Sequence, residues 1–174
     1  MELTPTKEQL LAEYGRTRLE LQAWLEKATA EDLRRRSNGT KWTNEELLFH
    51  MVFGYMVVRA LLPLVHLISR LPRPFGKGFA ALNAVTGPFN VVNYWGSRAA
   101  STFYNRRRMG RKMDITIASL ARRLDRETPV SLARSMPFPD RWDPFFASRM
   151  TVNDVYAYPT LHFDFHARQL SLEE

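Results

Sequence analysis

The chain has 174 residues, of which 45% are hydrophobic and 25% charged, an ordinary composition that predicts one globular domain over residues 1–174. The absence of cysteine excludes disulfides, zinc–thiolate sites and a thiol nucleophile supplied by the protein. The net charge of +7 comes mostly from arginine clusters, which are typical of solvated helix ends but also suit an anionic membrane, nucleic acid or an acidic small molecule.

The first predicted element is a helix over residues 5–28. Thr4 is its expected N-cap, and Pro5 suits the first helical position, where a missing N–H costs nothing. Leucines follow at helical spacing, which indicates one buried face. The run Ser37-Asn38-Gly39 then predicts a turn.

A second helix is predicted over residues 44–71. Thr43 and Glu46 form a capping-box pattern, which fixes its start, and Pro63 is a candidate kink. The apolar run 51–71 contains an arginine, a proline and a histidine. We therefore expect a helix buried in protein and no transmembrane segment.

The third helix is predicted within residues 88–126, with its clearest periodicity in the second half. The preceding stretch, residues 77–88, fits either a short helix or a loop that covers the bundle. The uncharged segment 78–97 is broken by a Gly-Pro pair and carries three asparagines, so it does not read as a membrane span. Its role, as a lid, a helix or a membrane-surface contact, stays open.

A proline-rich connection with interleaved aromatic residues follows, and we expect an ordered loop packed on the helices. The fourth helix is predicted over residues 152–170, because Thr151 and Asp154 repeat the capping pattern. No segment alternates convincingly with period two. The fold class is therefore all-α, a four-helix bundle with a loop between its third and fourth helices.

Three histidines are the candidate functional residues. His162 and His166 stand in H-F-D-F-H, one helical turn apart, at a spacing that lets two imidazoles bind one metal ion. His50 lies two turns into the second helix, beside them if the second and fourth helices run antiparallel. His66 and Asp164 should point away from this site. The alternative is a coincidental spacing of core histidines.

Three other residues are candidates for the surroundings of the site. Glu46, one turn before His50, could orient a ligand or activate a water, although capping already explains it. Tyr158, one turn before His162, could line a pocket or simply pack in the core. Arg59 could bind a substrate carboxylate or extend to solvent. Further pocket candidates without a spacing argument are Asn93, Tyr94 and Trp95.

Two segments resemble the DinB-like superfamily. In residues 40–50, T-K-W-T-N-E-E-L-L-F-H, a tryptophan and a threonine cap precede a helix with a glutamate one turn before a histidine, as around that family's first metal histidine. Residues 142–170 resemble the family's last helix and its approach, which end in H-x-x-x-H followed by R-Q-L. The central stretch carries little recognisable motif.

The resemblance implies a four-helix bundle, often dimeric, with one divalent metal ion held by three histidines. Carried over residue by residue, the ligands are His50, His162 and His166. Neutral imidazoles do not select among zinc, nickel, manganese and iron. Relatives are thiol-dependent transferases and isomerases that use a small thiol such as mycothiol or bacillithiol, so a thiol S-transferase acting on a small molecule is the leading hypothesis, with metal-assisted hydrolysis as another enzymatic option.

Two other functions compete with an enzyme. A non-catalytic helical protein could bind a hydrophobic ligand or a protein partner. Nucleic-acid binding through the arginines is disfavoured, because no helix-turn-helix, zinc finger or aromatic–basic signature is present. The N-terminus lacks the pattern of a signal peptide, and the lack of cysteine fits a reducing interior, so a cytoplasmic location is expected.

Overall fold

The computed structural model describes residues 4–172, and these are mostly helical. Two three-residue strands, β1 (Ser135–Pro137) and β2 (Arg149–Thr151), and a 3-10 helix (Ala81–Val85) complete the regular structure. The α-helices are α1 (Lys7–Lys27), α2 (Ala30–Arg34), α3 (Asn44–Ile68), α4 (Arg73–Ala80), α5 (Thr86–Phe103), α6 (Arg106–Asp125), α7 (Pro129–Leu132) and α8 (Val152–Ala167).

Threonine capping boxes fix the starts of five helices. In each box the threonine side chain accepts a hydrogen bond from the backbone N–H three residues on, and the side chain at that position accepts one from the backbone N–H of the threonine. The predicted starts of α3 and α8 are confirmed. The predicted start of α1 was wrong, because Thr6 and not Thr4 is the cap, paired with Gln9. Helix α2, capped by Thr29, was not predicted.

The predicted third helix, residues 88–126, is two helices. Helix α5 ends at Phe103 and α6 begins at Arg106, because Asn105 takes an extended conformation between them. Asparagine favours such cap positions. The ambiguous stretch 77–88 is the end of α4, the 3-10 helix and the first residues of α5. By contrast, α3 continues through Pro63 without interruption.

The connection between α6 and α8 contains α7 and the antiparallel pair β1–β2. The strands are too short to show a period-two pattern, which is why the sequence did not indicate them. Their register pairs Met136 with Met150, and both side chains are buried. The strand pair closes a loop over residues 138–148 and brings its aromatic side chains against the helices.

Helix α3 occupies the centre of the molecule and packs against α5, α6 and α8, while α1 packs against α6 and α8. A buried polar chain joins three of these helices: the Tyr55 hydroxyl lies 2.8 Å from the Thr17 hydroxyl and 3.1 Å from that of Thr160. Tyr14 donates a 2.7 Å hydrogen bond to the carbonyl of Tyr156. Buried hydroxyls with partners at this distance fix the helices relative to one another.

Helix α3 is long and apolar enough to cross a membrane by length and composition alone, with a mean hydropathy of 1.9 in its most apolar window. The core helix of a folded domain meets the same criterion. Its N-terminal half is buried continuously from Leu47 to Val52, and this half carries His50.

Candidate metal centre

The structure brings His50, His162 and His166 together. Their ring centroids lie 4.6 to 4.9 Å apart, and one ring nitrogen from each lies within 4.8 Å of the others. All three side chains are buried. Tyr55 contacts Thr160, whereas His50, five residues earlier in α3, contacts His166, later in α8, so the two helices run antiparallel. The start of α3 therefore lies beside the end of α8.

A glycine in α3 allows this approach. A Cβ atom placed on Gly54 would lie 2.9 Å from Cδ2 and 3.6 Å from Nε2 of His162. Carbon atoms do not pack at 2.9 Å without displacement, so any larger residue here would move the ring. Gly54 thus provides the space in which the His162 imidazole faces His50.

His162 is oriented by a carboxylate from the loop before α8. Its Nδ1 atom lies 3.1 Å from Oδ2 of Asp143, and the Tyr158 hydroxyl donates to the same oxygen at 2.9 Å. Burial raises the pKa of Asp143, but the hydrogen bond and charge interaction with His162, together with hydrogen bonds from the Phe145 N–H and the Tyr158 hydroxyl, outweigh burial and hold this pKa below its usual value. An ionised Asp143 accepts a hydrogen bond from the Nδ1–H group, which leaves the lone pair of the neutral ring on Nε2.

The Nε2 atom of His162 is buried and has no hydrogen-bond partner among the described residues 4–172. A buried polar atom without a partner costs roughly 1–3 kcal/mol, so native structures rarely keep one without a reason such as a bound ion. Because Nδ1 is engaged by Asp143, Nε2 is the nitrogen that this ring can offer to an ion.

His166 is oriented by the residues that follow α8. Its Nδ1 atom lies 2.6 Å from Oε1 of Gln169, an amide oxygen that can only accept. The proton is therefore on Nδ1, which leaves the lone pair on Nε2. The carbonyl of Gln169 in turn accepts a 2.7 Å hydrogen bond from Asn38 N–H, in the turn before α3. The C-terminal segment thus holds this ring in place.

Trp42 forms a wall of the cluster. Its ring centroid lies 4.3 Å from that of His50 and 6.1 Å from that of His166. On its other side Tyr94 of α5 stacks on it at 6.0 Å. This indole keeps the imidazoles in an environment with little water.

The electrostatics of the cluster favour the neutral form of His50 and His166. Burial, followed by the proximity of His162 and His166, lowers the pKa of His50 well below its usual value. Burial is also the main cause that lowers the pKa of His166 to about 4, and Gln169 opposes it only in part. A neutral imidazole keeps the lone pair that a metal ion needs, so at neutral pH these two rings can act as ligands without losing a proton.

A cavity of about 180 Å³ adjoins His50 and His162. Of its described lining residues only Asp143 is acidic, and none is lysine or arginine. The other lining residues are Phe53, Gly54, Val57, Leu61, Gly96, Trp142, Phe146 and Tyr158. For scale, an apolar cavity of about 150 Å³ holds benzene in another protein. The volume and lining therefore suit a small, largely apolar molecule.

The sequence model of the DinB superfamily matches residues 13–170, which is most of the chain. The chain belongs to the DinB superfamily. Neither the curated proteins nor the solved structures compared with it give a significant match. The match includes residues 40–50 and 142–170, the two segments that resemble DinB-like proteins.

The structure places the other candidate residues of this DinB-superfamily chain in different surroundings. Tyr158 lines the cavity. Glu46 completes the cap of α3 through Thr43 and forms a 3.3 Å ion pair with Arg98 of α5. Arg59 faces α6, where its Nε donates to the Ser119 hydroxyl at 3.2 Å, and it is not among the residues that line the cavity.

The remaining candidate residues also have different surroundings. Tyr94 stacks on Trp42, Trp95 is exposed, and the side chain of Asn93 lies outside the described residues. The Nε2 atom of His66 lies 2.8 Å from the Glu127 carboxylate, and Asp164 accepts from Arg16 at 2.9 Å, so neither side chain is part of the histidine cluster.

Sequence reasoning missed three residues of the site: Gly54, Asp143 and Gln169. Asp143 and Gln169 lie within the segments that carry the DinB resemblance, in W-D-P and R-Q-L. The separation of Asp143 from His162 gives no signal, whereas Gln169 stands three residues after His166, the spacing of neighbours on a helix face. Gly54 follows His50 by one turn of α3, so it shares the face of that ligand candidate. A glycine on the buried face of a helix was the available signal, because it has a helix-propensity cost of about 1 kcal/mol.

Proposed function

We propose that His50, His162 and His166 hold one divalent metal ion, and that the protein is a metal-dependent enzyme acting on a small molecule. The observation that carries the proposal is the buried Nε2 atom of His162, which belongs to a ring whose centroid lies within 4.8 Å of those of two other imidazoles and has no partner among the described residues. An ion at the centre of the three rings would satisfy it. Membership of the DinB superfamily supports the same reading.

Neutral imidazole ligands suit zinc, nickel, manganese or iron, and the donor set does not choose among them. Asp143 and Gln169 would influence the ion indirectly, through the histidine rings that they hold. Each accepts a hydrogen bond from Nδ1 of a histidine and so fixes the tautomer in which Nε2 is the donor atom. Such partners typically raise metal affinity by about 10- to 100-fold.

A three-histidine site leaves coordination positions open, and a bound divalent ion lowers the pKa of a water or thiol and polarises a carbonyl. The chain's own part would be to hold the ring of His162 through Asp143 and to exclude water with Trp42, Phe53 and Phe146. Tyr158, which lines the cavity and donates to Asp143, would keep that carboxylate in place.

The reaction we propose, following the resemblance to DinB-like enzymes, is a thiol S-transfer or isomerisation that uses a low-molecular-weight thiol such as mycothiol or bacillithiol. Because the chain has no cysteine, the thiol would enter as a cosubstrate. Metal-assisted hydrolysis is the enzymatic alternative. The lining of the cavity supports a small substrate that is neutral and largely apolar.

A second candidate function is the binding of a hydrophobic ligand without turnover. The apolar part of the cavity lining favours it, because Phe53, Leu61 and Phe146 offer contact area to a hydrophobic ligand. We further propose that residues 1–174 form one domain, that α1, α3, α6 and α8 are the four helices of a DinB-like bundle, and that the protein is cytoplasmic and forms a homodimer.

Elemental analysis tests the metal site. The wild-type protein, prepared without an affinity tag or added metal, should contain about one equivalent of a transition metal, and a His162→Ala/His166→Ala double variant should contain none. A His66→Ala variant is the matched control, because His66 pairs with Glu127 outside the cluster, and it should keep the metal. Folded wild-type protein that is metal-poor and cannot be loaded would overturn the proposal.

A screen with small thiols and electrophiles, run on the loaded protein, separates the two functions. Thiol-dependent turnover that is lost in the double variant supports the transferase. Binding of small apolar molecules in the cavity with no turnover of any kind would favour the non-catalytic candidate.

A further inference from the structure

The cavity beside the histidines runs along helix α3. Five of its lining residues belong to this helix, at positions 50, 53, 54, 57 and 61. With about 3.6 residues in a turn, these positions fall within roughly 100° of one another and form one face of the helix. Leu61 lies eleven residues after His50, which is roughly 16 Å along the axis at a rise of about 1.5 Å per residue. The cavity therefore extends about three turns of helix away from the candidate metal centre.

Leu61 marks the end of the cavity on this helix. The next residues on that side of α3, Leu64 and Val65, do not line it, since Leu64 is exposed and Val65 is buried in the core. Ile68, about two turns beyond Leu61, lines a different cavity together with residues of α4 and β1. Among the described residues, Leu61 is therefore the last on α3 that a molecule in the cavity can contact.

The polar side chains of the lining lie at the histidine end. The ring centroids of His50 and His162 are 4.8 Å apart, and Nδ1 of His162 lies 3.1 Å from Oδ2 of Asp143. The Tyr158 hydroxyl donates to that oxygen at 2.9 Å and lies 3.3 Å from the same nitrogen. These four side chains therefore form one connected polar group at one end of the cavity.

The rest of the lining is apolar. Val57 and Leu61 continue the face of α3, and the loop before α8 adds the ring of Phe146. Trp142 carries one polar side-chain atom, Nε1, which donates to the carbonyl of Leu82 at 3.1 Å. Because that donor already has a partner, the other described side chains of the lining offer a ligand only apolar contact.

The cavity is also narrow for its length. A compact apolar cavity of about 150 Å³ holds one benzene ring. Here about 180 Å³ is spread along roughly three turns of helix, so most of the length has room for a chain but not for a ring. The shape therefore favours an unbranched molecule, and the distribution of polar groups favours one with a single polar end.

We propose that the cavity binds an unbranched aliphatic molecule with a neutral polar group at one end, and that Leu61 sets the chain length it accepts. The polar group would lie against His50 and His162, and the chain would follow α3 past Val57 to Leu61. The group would be neutral, because the described lining has no lysine or arginine to balance an anion, and its one carboxylate, that of Asp143, already accepts two hydrogen bonds. This names the substrate class for the proposed function, and it rests on that function only at the polar end, where the ion would bind the head group.

Calorimetric titration with straight-chain alcohols, from n-butanol to n-decanol, tests the proposal. The affinity of the metal-loaded protein should rise about fourfold with each added methylene until the chain reaches Leu61, and should then level off. Leu61→Ala should move this limit to longer chains by about two methylenes, and Leu61→Phe should move it to shorter chains. The protein should bind n-hexanol about tenfold more tightly than cyclooctanol, which has more carbon atoms but is wider.

Leu64→Ala is the matched control, because Leu64 lies on the same helix without lining the cavity, and this variant should leave the limit unchanged. Leu61 is only partly buried, and circular dichroism checks that each variant is folded. Three results on folded, loaded protein would each overturn the proposal: no binding of any alcohol, cyclooctanol bound as tightly as n-hexanol, or a limit that does not move in the Leu61 variants.

Chelator-treated protein separates this proposal from the metal site. The loaded protein should bind n-hexanol several-fold more tightly than the treated protein, because the hydroxyl would lie beside the ion. Equal affinities would overturn the placement of the polar end at the histidines. If the protein cannot be loaded at all, a limit that still moves in the Leu61 variants supports the chain site, while the proposed metal-dependent enzyme fails.

Discussion

The Oδ2 atom of Asp143 lies 3.1 Å from Nδ1 of His162, although nineteen residues and strand β2 separate them in the chain. The same oxygen accepts from Tyr158, one turn before His162 on α8. The proline-rich loop therefore supplies the group that sets the orientation of a ring on the helix. Through this contact the loop is part of the site and not only a connection.

Replacing Asp143 tests that relationship. An Asp143→Asn variant should bind the metal about 10- to 100-fold more weakly, because an amide holds the His162 ring less well than a carboxylate does. Competition with a chromogenic chelator measures the affinity. Asp125→Asn, which changes an exposed aspartate at the end of α6, should have the affinity of the wild type. Equal affinities for all three proteins would show that Asp143 has no influence on the ion.

Gly54→Ala should disrupt the cluster by displacing the His162 ring. The added Cβ would lie 2.9 Å from Cδ2 of His162, so the ring must move, and we expect lower metal content together with a loss of stability of about 1–3 kcal/mol. Gly15→Ala is the matched control in α1, where nothing lies within 4 Å of the new atom. It should raise the free energy of unfolding by up to about 1 kcal/mol. Chemical denaturation compares the two, and unperturbed metal content in Gly54→Ala would contradict the packing argument.

The stability of the metal-free protein should fall as the pH is lowered. Burial lowers the pKa of folded His166 to about 4, whereas the unfolded residue has its usual value of 6.5. Between these values the unfolded chain binds more protons, so the contribution of His166 is complete above pH 6.5 and is lost as the pH falls towards 4. It is on the order of 3 kcal/mol.

Denaturation of chelator-treated protein at about pH 7 and about pH 5 measures this loss. Bound metal should leave in the same range, because protons compete with it for the rings. His50, whose pKa burial also lowers, should add to the effect. A His166→Gln variant should show a shallower dependence on pH, and an equally steep one would assign the effect to other groups.

Of two nearby positions on α8, only the exposed one should tolerate truncation to alanine. Phe163 is completely buried, stacked on Trp24 at 5.6 Å and edge-on to Tyr55 at 6.4 Å. Phe163→Ala should lower the free energy of unfolding by about 3–5 kcal/mol. Leu161, two residues earlier on the same helix, is 48% exposed, and Leu161→Ala should cost less than about 1 kcal/mol. Urea denaturation of both variants checks this, and similar losses would contradict the assigned burial.

The sequence was most informative where structure depends on neighbours in the chain. Thr43 with Glu46, and Thr151 with Asp154, predicted the starts of α3 and α8 because a capping box involves only residues three apart. The one-turn spacing of His162 and His166 likewise followed from helix geometry. The break at Asn105 was missed because a single cap residue within a long helical pattern is a weak signal.

What the sequence by itself determined was a mostly helical chain of the DinB superfamily with two histidines on one face of a helix and a third near a helix start. Only the tertiary structure decided that Asp143 and Gln169 hold two of these rings, that Gly54 leaves space for one, and that apolar side chains stay exposed on α3 and α5. The contacts of Asp143 and Gly54 with His162 join residues far apart in the chain, whereas the contact of Gln169 with His166 depends on how the chain turns after α8. They depend on how helices pack and loops return, which no local pattern encodes.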